Sequence, residues 1–160
     1  MVFYSREAFL LSQLARRSKL QRSKWITKYQ QIETSSKFHE DIRTILIQDD
    51  YWGRFSCYQE VPVSSIVETY PNNRHCVDWF IDELGCILEL HGQQHYNLVN
   101  FGNTSYGKAK KDFNNIKYRD NMKKTALEDA GYLYIEIPYK LANKLDAKLL
   151  KKLIFEKDRS

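Results

Sequence analysis

A chain of 160 residues with 42% hydrophobic and 14% aromatic content is long enough for one domain with a buried core and a modest extension. No run approaches the roughly 20 apolar residues needed to span a bilayer. In the N-terminal MVFYSREAFLLSQLARR, charge interrupts the apolar patch and no small-residue cleavage site follows, so a secretory leader is not expected. Three cysteines, Cys57, Cys76 and Cys86, without CxxC spacing fit reduced thiols better than a disulfide framework, so the expected location is the cytoplasm.

The net charge of +5 is unevenly placed. Residues 1–34 hold seven basic side chains (Arg6, Arg16, Arg17, Lys19, Arg22, Lys24, Lys28) against Glu7 and Glu33, so the remainder sums to zero. A neutral body with a basic arm suggests a polyanionic partner, because Lys and Arg release counterions from phosphates whatever the base sequence. A solvated helix face would account for the charge equally well.

In chain order, residues 5–32 read as one or two helices. They lack Gly and Pro, and place Phe9, Leu10, Leu14, Leu20, Trp25, Ile26 and Tyr29 at helical spacing. Ser35 and Ser36 are candidate N-caps for a helix to about Gln48 carrying Phe38, Ile42, Ile45 and Leu46 on one face. DDYWGRF reads as a turn, and SCYQEVPV as a strand that Pro62 ends or confines to an edge. After the loop ETYPNNRH, the β-rich runs CVDWFI and CILELH flank DELG as a hairpin. NFGNTSYG reads as a polar loop. A long helix over 108–130 stops at Gly131 in the C′ position, YLYIEIPY forms a strand halted by Pro138, and a Lys-rich helix closes the chain. Helix, strand, hairpin, helix, strand, helix predicts an α/β fold, a mixed central sheet flanked by helices. The domain division is a basic helical extension over 1–34 and a body over 35–160.

If DELG is a four-residue loop that sets Ile81 against Cys86, then Asp78 stands opposite Glu89 on one face. Like charges in that position destabilise a sheet unless something neutralises them. A hard divalent cation held by oxygen ligands would do so. His91, two residues beyond Glu89, shares the face, and His95, after the HGQQ turn, can swing back over it. A solvated strand face with incidental histidines is the plain alternative, and a one-residue slip would separate the two carboxylates.

The stretch VDWFIDELGCILELHGQQHY resembles the core of the PD-(D/E)XK nucleases, with Asp78 at the metal-binding Asp, Glu89 at the acidic residue of the E-x-K triplet and His91 at its Lys. A His there, a following glycine and a second His resemble the branch of very-short-patch-repair endonucleases and related phage-type homing endonucleases. NIKYRDNMKKTALEDAGYLYIEIPY is also similar, and the likeness spans residues 35–140. It implies a restriction-endonuclease-like core and a nuclease domain over 35–160 that hydrolyses DNA phosphodiester bonds with Mg²⁺ or Mn²⁺.

By that resemblance Asp78 is the principal metal ligand, beside Glu89 and the Leu90 carbonyl. His91 and His95 would act on water or the leaving oxygen, and Asp120 would orient one of them. An imidazole suits such work because its unperturbed pKa lies near neutrality. His39 and Glu40 are both candidates for the acidic position that members carry on the preceding helix. Arg16, Arg17, Lys19, Arg22 and Lys24 in the extension, and Lys117, Arg119, Lys123 and Lys124 around Asp120, would hold the phosphate backbone unless they are merely a solvated face. Tyr96, Tyr106 and Tyr118 could stack on bases or pack. Gln93 and Gln94 replace the aromatic residues that mismatch-repair members insert into DNA, and no cysteine matches their zinc site. Neither property is therefore implied. A structure-specific resolvase or nickase of the same fold, monomeric or homodimeric, and a non-catalytic nucleic-acid-binding module working through residues 1–34 are the competing readings. A phage-encoded enzyme would act in the host cytoplasm.

Overall fold

The computed structural model describes residues 36–92 and 106–156, with the backbone alone at Tyr106. The expected extension over 1–34, its basic residues, and Gln93, Gln94, His95 and Tyr96 lie outside the described residues.

Helix α1 (Lys37–Gln48) starts where Ser36 Oγ accepts the His39 N–H at 3.3 Å. It buries Ile42 and Leu46, one turn apart on the same face. The Asp49 carboxylate then accepts the N–H groups of Tyr51 and Trp52 at 3.0 and 3.1 Å, which launches a short 3₁₀ turn over Trp52–Arg54. Strand β1 (Cys57–Pro62) ends at its proline and leads into a single helical turn, α2 (Val63–Ile66), where the sequence reading ran the strand to Val63 and named no helix.

Strands β2 (Cys76–Ile81) and β3 (Cys86–His91) form the expected hairpin. Trp79 pairs with Leu88, Phe80 with Ile87 and Ile81 with Cys86, the register read from DELG. Gly85, at φ 53°, closes the loop by donating to the Asp82 carbonyl at 3.0 Å, a left-handed position that glycine adopts without steric cost.

Helix α3 (Tyr106–Asp129) is the crossover to β4 (Leu133–Pro138), which runs parallel to β3 from Cys86–Leu133 to His91–Pro138. Its end is a Schellman motif. Gly131 at φ 91° donates to the Glu128 carbonyl, and Tyr132 donates to that of Leu127. After a 3₁₀ segment (Tyr139–Lys144), α4 (Ala147–Phe155) is capped by Asp146, whose carboxylate accepts the Leu149 N–H at 2.7 Å.

The sheet order is β1-β2-β3-β4, antiparallel at the first two junctions and parallel at the third. One face packs Trp79, Leu88, Leu90, Ile135 and Ile137 against Ile42 and Leu46 of α1 and Leu150 and Ile154 of α4. The other packs Phe80, Ile87 and Tyr134 against Leu127 of α3. Cover on both faces explains why every position of β3 is buried. The fold is thus mixed α/β with helices on both sides of the sheet. No helix among the described residues is long and apolar enough to cross a membrane.

Candidate metal centre

The chemistry-bearing residues gather where β1 and β3 end and β2 begins. There a pocket of about 360 Å³ is lined by His39 from α1, Glu60 from β1, Arg74, His75, Cys76 and Asp78 around the start of β2, Glu89 and Leu90 from β3, and Arg119, Asp120 and Lys123 from α3.

Hairpin register puts Asp78 and Glu89 one rung beyond the Trp79–Leu88 pair. Asp78 Oδ2 accepts the Leu90 N–H at 2.7 Å, so a carboxylate takes the place of a ladder carbonyl. Glu89 is only 4% exposed, and its Oε1 accepts Lys123 Nζ at 2.8 Å. Lys123 is equally enclosed and donates also to the Cys76 carbonyl at 3.0 Å. Its ammonium therefore joins α3 to β2 and β3 instead of lying on a solvated helix face. Burial pushes the Glu89 carboxyl well above the usual carboxylate range, the neighbouring Asp78 adds to the rise, and Lys123 opposes it.

Glu60 was not singled out in the sequence. It sits between the Gln59–Trp79 and Val61–Val77 rungs at φ 54°, a left-handed conformation uncommon for a residue with a Cβ and unexpected inside a strand. Burial raises its carboxyl pKa and Asp78 raises it further, against the pull of His39 and Lys123. Single ligand atoms of His39, Glu60 and Asp78, all half-buried, lie within 4.8 Å of one another. The signal that could have found Glu60 is its position across from Asp78 in an antiparallel β1–β2 pair. The connection over 63–75 gives the sequence no turn from which to set that register.

His75 lines the pocket with both ring nitrogens engaged. The Asn72 side-chain Oδ1 accepts the Arg74 N–H at 2.9 Å, which orients the side-chain amide so that its nitrogen donates to His75 Nε2 at 3.1 Å. Nδ1 then carries the proton and donates to the Tyr70 hydroxyl oxygen at 2.7 Å. Burial first, then Lys123 and Arg119, lowers the His75 pKa, so this imidazole is held neutral.

The other expected residues scatter. Arg119, exposed and 3.9 Å from the Asp120 carboxylate, stands at the pocket with it. His91 is buried outside the pocket lining, its Nδ1 4.0 Å from Glu136 Oε2, and Lys124 Nζ lies 3.5 Å from the other oxygen of Glu136. Glu40 is exposed on α1 and does not line the pocket. Lys117 lies over the Phe113 ring at 5.4 Å, and Tyr118 is exposed.

Two carboxylates and an imidazole on three elements form a mixed oxygen–nitrogen donor set suited to a divalent cation. Lys123, Arg119 and Arg74 supply positive charge around it. Comparison with protein-family models, with curated proteins and with solved structures gives no match.

Proposed function

We propose that this protein is a metal-dependent endonuclease that hydrolyses phosphodiester bonds in DNA. The observation that carries the reading is the convergence of His39, Glu60 and Asp78 on one pocket beside Lys123, Arg119 and Arg74. Carboxylates that would otherwise repel each other, ringed by basic side chains, suit a divalent cation and a phosphate. The spacing of Asp78, Glu89 and His91, and an element order in accord with a restriction-endonuclease-like core, add to it. Asp78 anchors both the ligand set implied by the sequence (Asp78, Glu89 and the Leu90 carbonyl) and the cluster with His39 and Glu60.

A bound Mg²⁺ or Mn²⁺ supplies Lewis-acid polarisation of the phosphoryl oxygen. Arg119 and Arg74 hold the phosphate at the mouth. The Glu89–Lys123 pair fixes β3 against α3, so that Asp78 keeps its place on the Leu90 N–H. Asp120, which lines the pocket, and, on the sequence reading, His95 are the groups available to move a proton, whereas His91 lies buried outside the pocket beside Glu136. Residues 1–34 would add non-specific grip on the duplex.

The test is cleavage of supercoiled plasmid by the purified full chain with Mg²⁺ or Mn²⁺, against a chelator control and Asp78→Asn. Asparagine keeps an acceptor for the Leu90 N–H and removes the charge. Metal-dependent linear or nicked product, lost in Asp78→Asn, is expected. DNA binding without cleavage under any metal would replace the enzyme with a binding module.

A further inference from the structure

We propose that the cation is held by His39, Glu60 and Asp78, that Lys123 withholds Glu89 from it, and that the imidazole makes the site select a first-row transition ion over Mg²⁺. This rests on the metal-dependent reading above and goes beyond it in ligand set and ion class.

Two sets of residues compete for the ion, and they share only Asp78. Lys123 holds one oxygen of Glu89, and Glu89, although it lies against Asp78, is not among the ligand atoms that gather within 4.8 Å of one another. The Glu89–Lys123 contact at 2.8 Å is enclosed, with both side chains 6% exposed, and the ammonium also donates to the Cys76 carbonyl. Removing Glu89 would strand that ammonium away from water, where an uncompensated charge is unstable. Glu60 is differently placed. The ammonium that offsets Glu89 is 2.8 Å from that carboxylate, while Glu60, at its left-handed φ, has a ligand atom within 4.8 Å of those of both Asp78 and His39. Ligands on one ion at bond lengths of about 2.0–2.2 Å sit roughly 3 to 4.4 Å apart. Separations within 4.8 Å need only small side-chain movements to reach that range.

Donor chemistry then sets the ion. Mg²⁺ demands hard oxygen ligands in near-octahedral geometry, whereas imidazole favours ions later in the Mn²⁺-to-Zn²⁺ series. With one nitrogen among three protein donors, the site discriminates through His39.

Co²⁺ provides a probe that is independent of cleavage, because its visible d–d absorption reports ligand type and number. The chelator-stripped full chain is titrated with Co²⁺ and then competed with Zn²⁺, Mn²⁺ and Mg²⁺. We expect one Co²⁺ per chain, with an affinity about tenfold or more above that for Mg²⁺. His39→Gln should lower Co²⁺ affinity by about tenfold or more and shift the spectrum, while leaving Mg²⁺ affinity within about twofold. Glu60→Gln should weaken both ions. Glu89→Gln, and the paired change Glu89→Gln with Lys123→Met should either variant misfold, should leave the Co²⁺ spectrum in place. Unchanged Co²⁺ binding and selectivity in His39→Gln would overturn the proposal. So would loss of the spectrum in folded Glu89→Gln with its retention in Glu60→Gln. Cleavage supported by Mg²⁺ and indifferent to His39 would leave the nuclease reading standing without this site. A Co²⁺ site of the expected ligands in a chain that cleaves nothing would do the reverse.

Discussion

Glu60 keeps a backbone angle that costs a side-chain-bearing residue about 1–3 kcal/mol unless its surroundings compensate. Within an ordinary strand, alanine is more stable than glycine by roughly 0.5–1 kcal/mol. Here the order should invert: Glu60→Gly should exceed Glu60→Ala by about 1 kcal/mol in urea unfolding. Alanine more stable than glycine would mean that the strand relaxes once the carboxylate is gone. His75 offers a second measurement at this scale. Its imidazole pKa is lowered by burial and then by Lys123 and Arg119, so its NMR titration midpoint should fall below the ordinary value of 6.5. Arg119→Ala should move it upward. For a histidine whose folded pKa is depressed, the contribution to stability is present above the unfolded pKa and is lost as pH falls through 6.5 and below. A midpoint at or above the ordinary value would contradict the hydrogen-bonded, neutral imidazole described here.

At the scale of elements, features set by short-range chemistry were legible in the sequence. Ser36 announced α1, DELG with Gly85 set the hairpin register, and Gly131 marked the end of α3. Each acts through a few neighbouring backbone groups, so residue order alone carries the information. Gly131→Ala should therefore cost about 1 kcal/mol by thermal or urea unfolding, because φ 91° is strained for any Cβ. A cost near zero would indicate that the helix end rearranges to another cap. What escaped was set at long range. The place of Glu60 beside Asp78 depends on pairing across residues 63–75, and the burial of Lys123 depends on α3 lying against β2 and β3. In sequence, Lys123 looked like its solvated neighbours. The turn of His91 toward Glu136 needed the parallel β3–β4 junction, which no local signal specifies.

Across the whole molecule, the charge imbalance and the pocket lie on different parts of the chain. Residues 1–34 carry the entire net charge of +5, and none of them is a proposed metal ligand. Their deletion should weaken DNA binding and flatten the slope of log affinity against log salt, while slow cleavage persists at low salt. A folded truncation with unchanged affinity and slope would make the extension a structural or dimerisation element.

The parallel junction has a further consequence, for the order of assembly. The hairpin closes over four residues, whereas β4 reaches β3 only after residues 92–132 have been laid down as a crossover. Local contacts form before distant ones, because closing the longer loop costs more entropy. The strands that carry Asp78 and Glu89 therefore come together while Lys123 is still elsewhere, and the two carboxylates oppose each other until α3 docks. On that view Lys123 is a late latch. In a stopped-flow chevron, Lys123→Met should leave the folding rate nearly unchanged and speed unfolding by at least about tenfold. A folding rate slowed by the same factor would place the docking of α3 before the barrier.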